Sequence, residues 1–318
     1  MKILLAGGGG YIGSSLAPAL LEKGYEVDVI DLFWFGNHLP ERVKAIKKNL
    51  FDCIEKDLEG YDSVVFLGGL SNDPMAEFNP AQNFVYNAAH PVYLAYIAKK
   101  AGAKRFVYAS SCSVYGYTQD RLYDEDPGAT CGYPYGISKL QGELGCSQLR
   151  DDDFSVIGLR QGTVCGWSSR MRFDLIVNTM YKSAMTEGKI TVNNPAIWRP
   201  ILDIRDAIHA FILAIEAPPA ITGTFNVASG NYTVGEVANS VKEEIKALTG
   251  KEIGLVIKNI PDLRNYRAST DKAQNVLGFM PKHSIADTVR HLHNNLGQFD
   301  DFENEAYYNI RVFKNLSF

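Results

Sequence analysis

At 318 residues the chain is long enough for about two domains of ordinary size, and its 46% hydrophobic and 21% charged residues suit a packed globule rather than a disordered, collagenous or disulfide-stapled chain. Lys and Arg number 32 against 36 Asp and Glu, a net charge of −4, so no positive field draws the chain to nucleic acid or an anionic lipid surface, and an anionic ligand must be held by local groups. Five cysteines without a CxxC pair or a neighbouring His cluster point to neither a disulfide framework nor a metal site, and the short apolar start at Met1–Ala6 is too brief for a signal segment or a membrane span, so a cytoplasmic compartment is expected.

Short apolar runs alternate with helical patterns through the first 160 residues, the rhythm of βα units around a parallel sheet. Lys2–Ala6 reads as a strand, Tyr11–Lys23 as a helix and Glu26–Ile30 as the next strand, with further strands at Val43–Ile46, Ser63–Leu67, Arg105–Ala109 and Phe154–Leu159 and helices at Ala81–Ala101 and Tyr135–Leu149. Pro18 removes a hydrogen bond from the first helix and predicts a kink there. After Leu159 the pattern predicts a helix at Phe173–Thr186, a strand at Ile190–Val192 and a loop at Asn193–Pro200. A helix at Arg205–Ile215, a strand at Thr224–Ala228, a helix at Val234–Leu248, a strand at Ile253–Ile257 and closing helices complete the chain. No repeat and no linker rich in Pro, Gly or Ser separates the halves, so the second lobe is expected to interweave with the first. The tail from Asp300 to Phe318 mixes acids with Phe302, Tyr307, Tyr308, Phe313 and Phe318 and is expected to wrap either the body or a partner subunit.

Gly7, Gly10 and Gly13 form GxxGxxG directly after the first strand and at the start of a helix. Glycines there let the backbone turn tightly and approach a pyrophosphate, and the helix start offers free N–H groups and positive dipole. Asp31 ends the second strand 18 residues after Gly13, where a carboxylate can accept both ribose hydroxyls of a dinucleotide and repel a 2′-phosphate. Leu32–Gly36 contains no Lys or Arg to neutralise that phosphate, so NAD is expected rather than NADP.

Tyr135 and Lys139, four apart in YGISK, share one face of a predicted helix, and an ammonium near a phenol favours phenolate, lowering the tyrosine toward the range for proton transfer. SSCSVYG, residues 110–116, follows a strand and puts hydroxyls at its carboxyl end, where open α/β sheets bind ligands. Glycine loop, hydroxyl cluster and Tyr/Lys pair together imply hydride exchange at an alcohol carbon, with Tyr135 as acid and base.

In the order GGGGYIG, Asp31, FLGGLSND, SSCSVYG, YGISK and LRQGTVCG, the chain resembles the NAD-dependent epimerase/dehydratase family, the extended branch of the short-chain dehydrogenase/reductases, up to about Leu296. The resemblance implies an α/β fold: a Rossmann domain with a doubly wound parallel sheet, residues 1–170 plus parts of 205–230, and a smaller interwoven α/β domain for a nucleotide-sugar, residues 171–204 and 231–318. It implies a homodimer through a four-helix bundle. Carried over by position, Ser111 is the catalytic hydroxyl, Tyr135 the acid/base and Lys139 the holder of the nicotinamide ribose. The cofactor loop includes Tyr11 and Ile12; Asn49 and Leu50 occupy the adenine-contacting pair, although Asn49 departs from the usual acidic residue; Leu67, Gly68 and Gly69 line the cleft; and Asn87 supports it from the following helix. SSRMRFDLIVN, residues 168–178, looks like the family's substrate segment. Arg172, Asn178, Arg199, Arg264 and Arg267 are candidates for the nucleotide diphosphate, which a guanidinium fork matches, with Ser71 and Thr163 as further substrate contacts. Trp198 reads as core rather than as a platform for a base.

Members that dehydrate at C4 and C6 place an acidic pair right after the catalytic hydroxyl, where this chain has Cys112 and Ser113. Members that epimerise at C3 and C5 use a cysteine at the slot of Ser113, which leaves Cys112 as a small packed side chain. Oxidation and reduction at C4 remain, as a C4 epimerase that keeps its NAD or as a net dehydrogenase or 4-keto reductase; a non-catalytic NAD sensor on the same fold is the distant alternative.

Overall fold

A computed structural model describes residues 1–126, 131–260, 264–299 and 301–316; Asp300 and Phe318 of the aromatic tail lie outside them. In chain order the first half holds β1 (Lys2–Ala6), α1 (Gly13–Glu22), β2 (Glu26–Asp31), β3 (Lys44–Lys47), β4 (Ser63–Phe66), α2 (Asp73–Phe78), α3 (Pro80–Phe84), α4 (His90–Lys100), β5 (Arg105–Ser111), β6 (Tyr117–Tyr123), α5 (Pro134–Ser147) and β7 (Ser155–Gln161). The second half holds β8 (Thr163–Cys165), α6 (Ile176–Glu187), β9 (Lys189–Asn193), β10 (Trp198–Asp203), α7 (Ile204–Glu216), β11 (Gly223–Val227), β12 (Gly230–Thr233), α8 (Val234–Thr249), β13 (Gly254–Lys258), β14 (Asn265–Ala268), α9 (Ile285–Asn294) and α10 (Asn309–Lys314).

Seven strands form one parallel sheet in the order β11-β7-β5-β4-β1-β2-β3. Its central strands, such as Ile3–Ala6, Val64–Phe66 and Phe106–Tyr108, are buried on both faces, which is why they read as continuous apolar runs rather than alternations. The order reverses between β1 and β4, so their carboxyl ends open the crevice in which such sheets bind ligands. This is the expected doubly wound Rossmann sheet. β11, from late in the chain, pairs with β7 and threads the two lobes together.

The smaller lobe is built on β12-β10-β8 and on parallel pairs β9 with β13 and β6 with β14. Here the sequence reading needs correcting. The loop expected at Asn193–Pro200 ends early, because Trp198 starts a strand that pairs antiparallel with Gly230–Thr233 and parallel with Thr163–Cys165. Pro200 reads locally as a loop residue, but long-range pairing decides strand structure more than propensity does. β6 and β14 were not expected at all, since neither run alternates cleanly.

Prolines shape two helices at the crevice. α1 continues through Pro18, and the Ser14 carbonyl that the missing N–H leaves free accepts Ser169 Oγ at 3.5 Å. The single helix expected at Ala81–Ala101 is three pieces: α3, a wide π turn at Val85–Ala89, and α4. Pro91 cannot donate to the Asn87 carbonyl, which instead accepts Tyr108 Oη at 2.8 Å from β5. The tail folds onto the body: Tyr307 packs on Phe173, and Phe313 is fully buried among Trp34, Phe78, Leu70 and Met75.

Candidate active site

A cleft of about 480 Å³ runs along the carboxyl ends of the sheet strands and under the smaller lobe. Its floor begins at the glycine turn. Gly7 has φ +80°, and a Cβ there would meet the Gly68 backbone at 2.3 Å; a Cβ on Gly13 would strike the Gly8 backbone at 2.2 Å. Gly10 is different, since its Cβ would meet nothing nearer than 3.7 Å and would project into open space at the start of α1. One glycine makes the turn, one lets the loop and helix pack, and one leaves room for a pyrophosphate, so these residues fit a dinucleotide. Ile12 lines the cleft beside them, and Tyr11 reaches past it to donate its hydroxyl to the Gly166 carbonyl at 2.6 Å, pinning the loop to the second lobe.

Asp31 lines the cleft and accepts the N–H groups of Gly9 at 2.9 Å and Phe33 at 2.6 Å. Burial raises its pKa, and those N–H groups pull the other way. Asn49 and Leu50 stand at the same end, with the Asn49 carboxamide capping the turn at Leu50–Asp52 through Phe51 N–H. Leu67, Gly68 and Gly69 form the opposite lip. Asn87 does not line the cleft; it is wholly buried behind it, where its amide donates to the Leu70 carbonyl, Asn83 and Ser138.

At the centre, β5 ends in Ser111 and α5 brings Tyr135 to the same stretch of the cleft. Lys139, one turn on, is buried and donates to the Ala109 carbonyl at 3.0 Å, with its ammonium 6.0 Å from the centre of the Tyr135 ring. The expected phenolate is not favoured in this state. Burial raises the Tyr135 pKa, the Ser111 hydroxyl opposes that only in part, and burial brings the lysine itself down to about 8. Cys112 turns away from the cleft into the core, its thiol on the Arg160 carbonyl at 3.2 Å and its pKa raised by burial, as a packed side chain should be. Beneath Ser111, Glu143 accepts from Ser110 Oγ at 2.6 Å and is ion-paired to Arg160 at 2.7 Å.

The second lobe supplies the far wall. Thr163, Arg172, Arg199 and Arg264 all line the cleft. The Arg172 fork is engaged by Asp174 at 2.8 and 3.0 Å; burial disfavours the arginine charge, but Asp174 more than restores it. Arg199 donates to the Arg264 carbonyl, and Arg264 pairs with Asp73 at 2.6 Å. Two candidates lie outside the cleft lining. Asn178 is buried and holds the Gly166 N–H and the Arg172 carbonyl, and Arg267 stands 5.0 Å over the ring of Trp198, itself outside the cleft. Ser71 is at the cleft, accepting from Asn309 at 2.6 Å.

The sequence reading missed Gln161, Asp73, Tyr266, Arg170 and the tail residues Asn309 and Ile310, all of which line the cleft. Arg170 was discoverable, lying two residues before Arg172 in the same segment. Asn309 carried no local signal, because only chain folding brings it to the cleft.

The NAD dependent epimerase/dehydratase family profile matches residues 3–228. UDP-glucose 4-epimerase 3 of Oryza sativa subsp. japonica is 28% identical, covering 91% of this chain and 88% of the relative. UDP-glucose 4-epimerase of Bacillus subtilis (strain 168) is 29% identical over 95% of this chain and all of the relative. Among solved structures, MoeE5 in complex with UDP-glucose and NAD superposes with a TM-score of 0.81 at 25% identity, over 93% of this chain and 100% of that one. UDP-glucuronic acid 4-epimerase from Bacillus cereus, in complex with UDP-glucuronic acid and NAD, gives 0.80 at 25% identity, over 94% and 99%.

Proposed function

Because the chain belongs to the NAD dependent epimerase/dehydratase family, we propose that it is a nucleotide-sugar C4 epimerase acting through a 4-keto sugar. The observation that carries this reading is the convergence of Ser111, Tyr135 and Lys139 on one dinucleotide cleft, beside Cys112 and Ser113, neither of which is a carboxylic acid able to drive dehydration. NAD, when bound, supplies the acceptor and later the donor of the C4 hydride. In its phenolate form Tyr135 would take the 4-hydroxyl proton on oxidation and, as the resulting phenol, return it on reduction; Ser111 would hold the same oxygen by a hydrogen bond in both directions. Lys139 sets the charge near the phenol and holds the nicotinamide ribose. Arg199, Arg264 and Arg172 keep the nucleotide diphosphate fixed while the sugar presents its other face, and Thr163 and Ser71 border that space.

Residues 1–170 with parts of 205–230 serve as the cofactor domain, and 171–204 with 231–318 as the nucleotide-sugar domain. The working unit is a homodimer joined by the helical region 80–100 and by α5, whose outer faces leave Phe84, Tyr96, Ile137 and Leu144 exposed. Among the described residues no helix is long and apolar enough to cross a membrane, and no group of His, Cys, Asp or Glu is arranged to hold a metal.

The test is incubation of the purified protein with NAD and a panel of nucleotide-sugars, UDP-hexoses first, with product analysis by chromatography and NADH followed by absorbance. A C4 isomer without accumulating NADH is the expected result. Stoichiometric NADH with a stable oxidised sugar would replace the epimerase with a net dehydrogenase, and an unchanged panel would leave a cofactor-binding protein.

A further inference from the structure

The family profile stops at residue 228, yet the far end of the chain returns to the ligand cleft. α10 is anchored by Phe313, which is completely buried beside Trp34 and Phe78, and its first residue, Asn309, is 95% buried and lines the cleft with Ile310. The Asn309 carboxamide is used at both ends. Its N–H donates to Ser71 Oγ at 2.6 Å, on the lip after β4, and its oxygen accepts from the Arg170 guanidinium at 2.5 Å, on the segment after β8.

Arg170 is the unusual member. It is 2% exposed and lies against the Phe35 ring at 3.7 Å, yet among the described residues it makes no hydrogen bond to a carboxylate, and its Nε has no partner. Its neighbour Arg172 is neutralised by Asp174; Arg170 is not. Burial, with Arg172 second, brings its pKa down to about 9. A buried cation facing a cleft with no carboxylate bonded to it, Asp174 and Asp31 acting on it only through space, is held at a cost that an entering anion reduces. Phe35 follows Asp31 on the cofactor side of the cleft, and Asp31 itself feels the Arg170 charge. We propose that Asn309 is a positioning residue which, from the C-terminal helix, fixes Arg170 and Ser71 so that the guanidinium meets a diphosphate bound in the cleft. The inference rests on the family reading above and adds to it a ligand-holding role for a segment beyond the family profile. The dinucleotide is the first candidate, because a C4 epimerase must keep its cofactor between two hydride transfers.

Calorimetry of the full chain has two arms, NAD with the stripped protein and UDP with the NAD-loaded protein, and a chase experiment gives the rate of NAD release. Asn309→Ala should weaken one arm by about tenfold or more, the scale of a lost charge-assisted hydrogen bond, with faster NAD release if the dinucleotide is the ligand. Arg311→Ala, in the same helix but on the surface, should change neither arm, which separates Asn309 from general loosening of the tail. If Asn309→Ala does not fold by circular dichroism, Asn309→Asp takes its place; its carboxylate would neutralise Arg170 and should weaken the diphosphate at least as much. Affinity in both arms and NAD release within twofold of wild type in a folded variant would overturn the proposal. A wild type that binds NAD but interconverts no sugar would remove the epimerase reading and leave this one standing.

Discussion

Tyr135 and Lys139 are separated by one helical turn, yet their charges are set by what lies around them. Lys139 spends a hydrogen bond on the Ala109 carbonyl, and burial acts on both groups to disfavour the charged form. On the proposed reading, proton transfer at Tyr135 therefore depends on the substrate oxygen and Ser111 completing a hydrogen-bond chain. Tyr135→Phe keeps the ring volume and removes the proton; with NAD and the active nucleotide-sugar, turnover should fall by about a hundredfold to ten-thousandfold while NAD affinity by calorimetry stays at wild type. His90 offers a test of burial alone. It packs edge-on against Phe51 and Tyr86, its Nε2 has no partner among the described residues, and burial pushes its pKa down to about 3. The unfolded imidazole titrates near 6.5, so below that pH the unfolded state binds the extra proton; this contribution to stability is complete above about pH 6.5 and is lost as pH falls toward 3. His90→Phe should flatten that limb, seen as a smaller difference between urea midpoints at about pH 7 and about pH 4.5 than wild type shows.

At the scale of elements, α5 is the part on which the site's geometry turns. Tyr135, Lys139 and Glu143 recur every four residues and so share a face, with the first two at the cleft and the third beneath it. Glu143 locks the helix to β5 through Ser110 and to β7 through Arg160, and Arg160 in turn holds Tyr115 Oη at 2.9 Å. Both charges are about 95% buried, so deleting one leaves the other uncompensated. Glu143→Ala should lose about 3 to 5 kcal/mol of unfolding free energy by chemical denaturation. The broken helix opposite α5 has a matching logic: the π turn carries Asn87 inward against Ser138 of α5 and Leu70 of the cleft lip, tying three elements at one buried amide.

For the whole molecule, four exposed apolar side chains lie on helices that contact one another and do not line the cleft. Leu144 is 53% exposed, Phe84 48%, Tyr96 46% and Ile137 38%, on helices that pack side by side. The proposed dimer covers them with the same surface of a second copy. Sedimentation should give a dimer for the wild type and a monomer for Leu144→Glu, whose charge would be buried in the seam; a wild-type monomer at the same concentration would remove the homodimer. The tail, by contrast, closes on its own body, with Phe313 in a pocket of the same chain and Arg170 in contact with Asn309.

The local rules of the sequence were enough for the parallel sheet, the glycine turn, Asp31 at the end of β2 and Tyr135 one turn from Lys139. Each of these depends on spacing within a few residues: apolar runs make buried strands, glycines permit the turn, and a step of four defines a helical face. Folding decided what spacing cannot carry. Whether Pro200 sits in a loop or a strand was settled by partners at Thr163 and Gly230, far along the chain. Arg172 and Arg170 looked alike in one segment, but Asp174 neutralises the first and burial leaves the second facing the cleft without a carboxylate partner. Asn87 and Asn178 went behind the cleft wall and Asn309 came into it, because their hydrogen-bond partners, 17 and 51 residues away for Asn87 and more than a hundred for Asn178 and Asn309, meet only when the chain has closed around its core. Local propensity sets the backbone of an element within itself; charge pairing, burial and cleft lining are sums over neighbours, and those neighbours are fixed by tertiary packing alone.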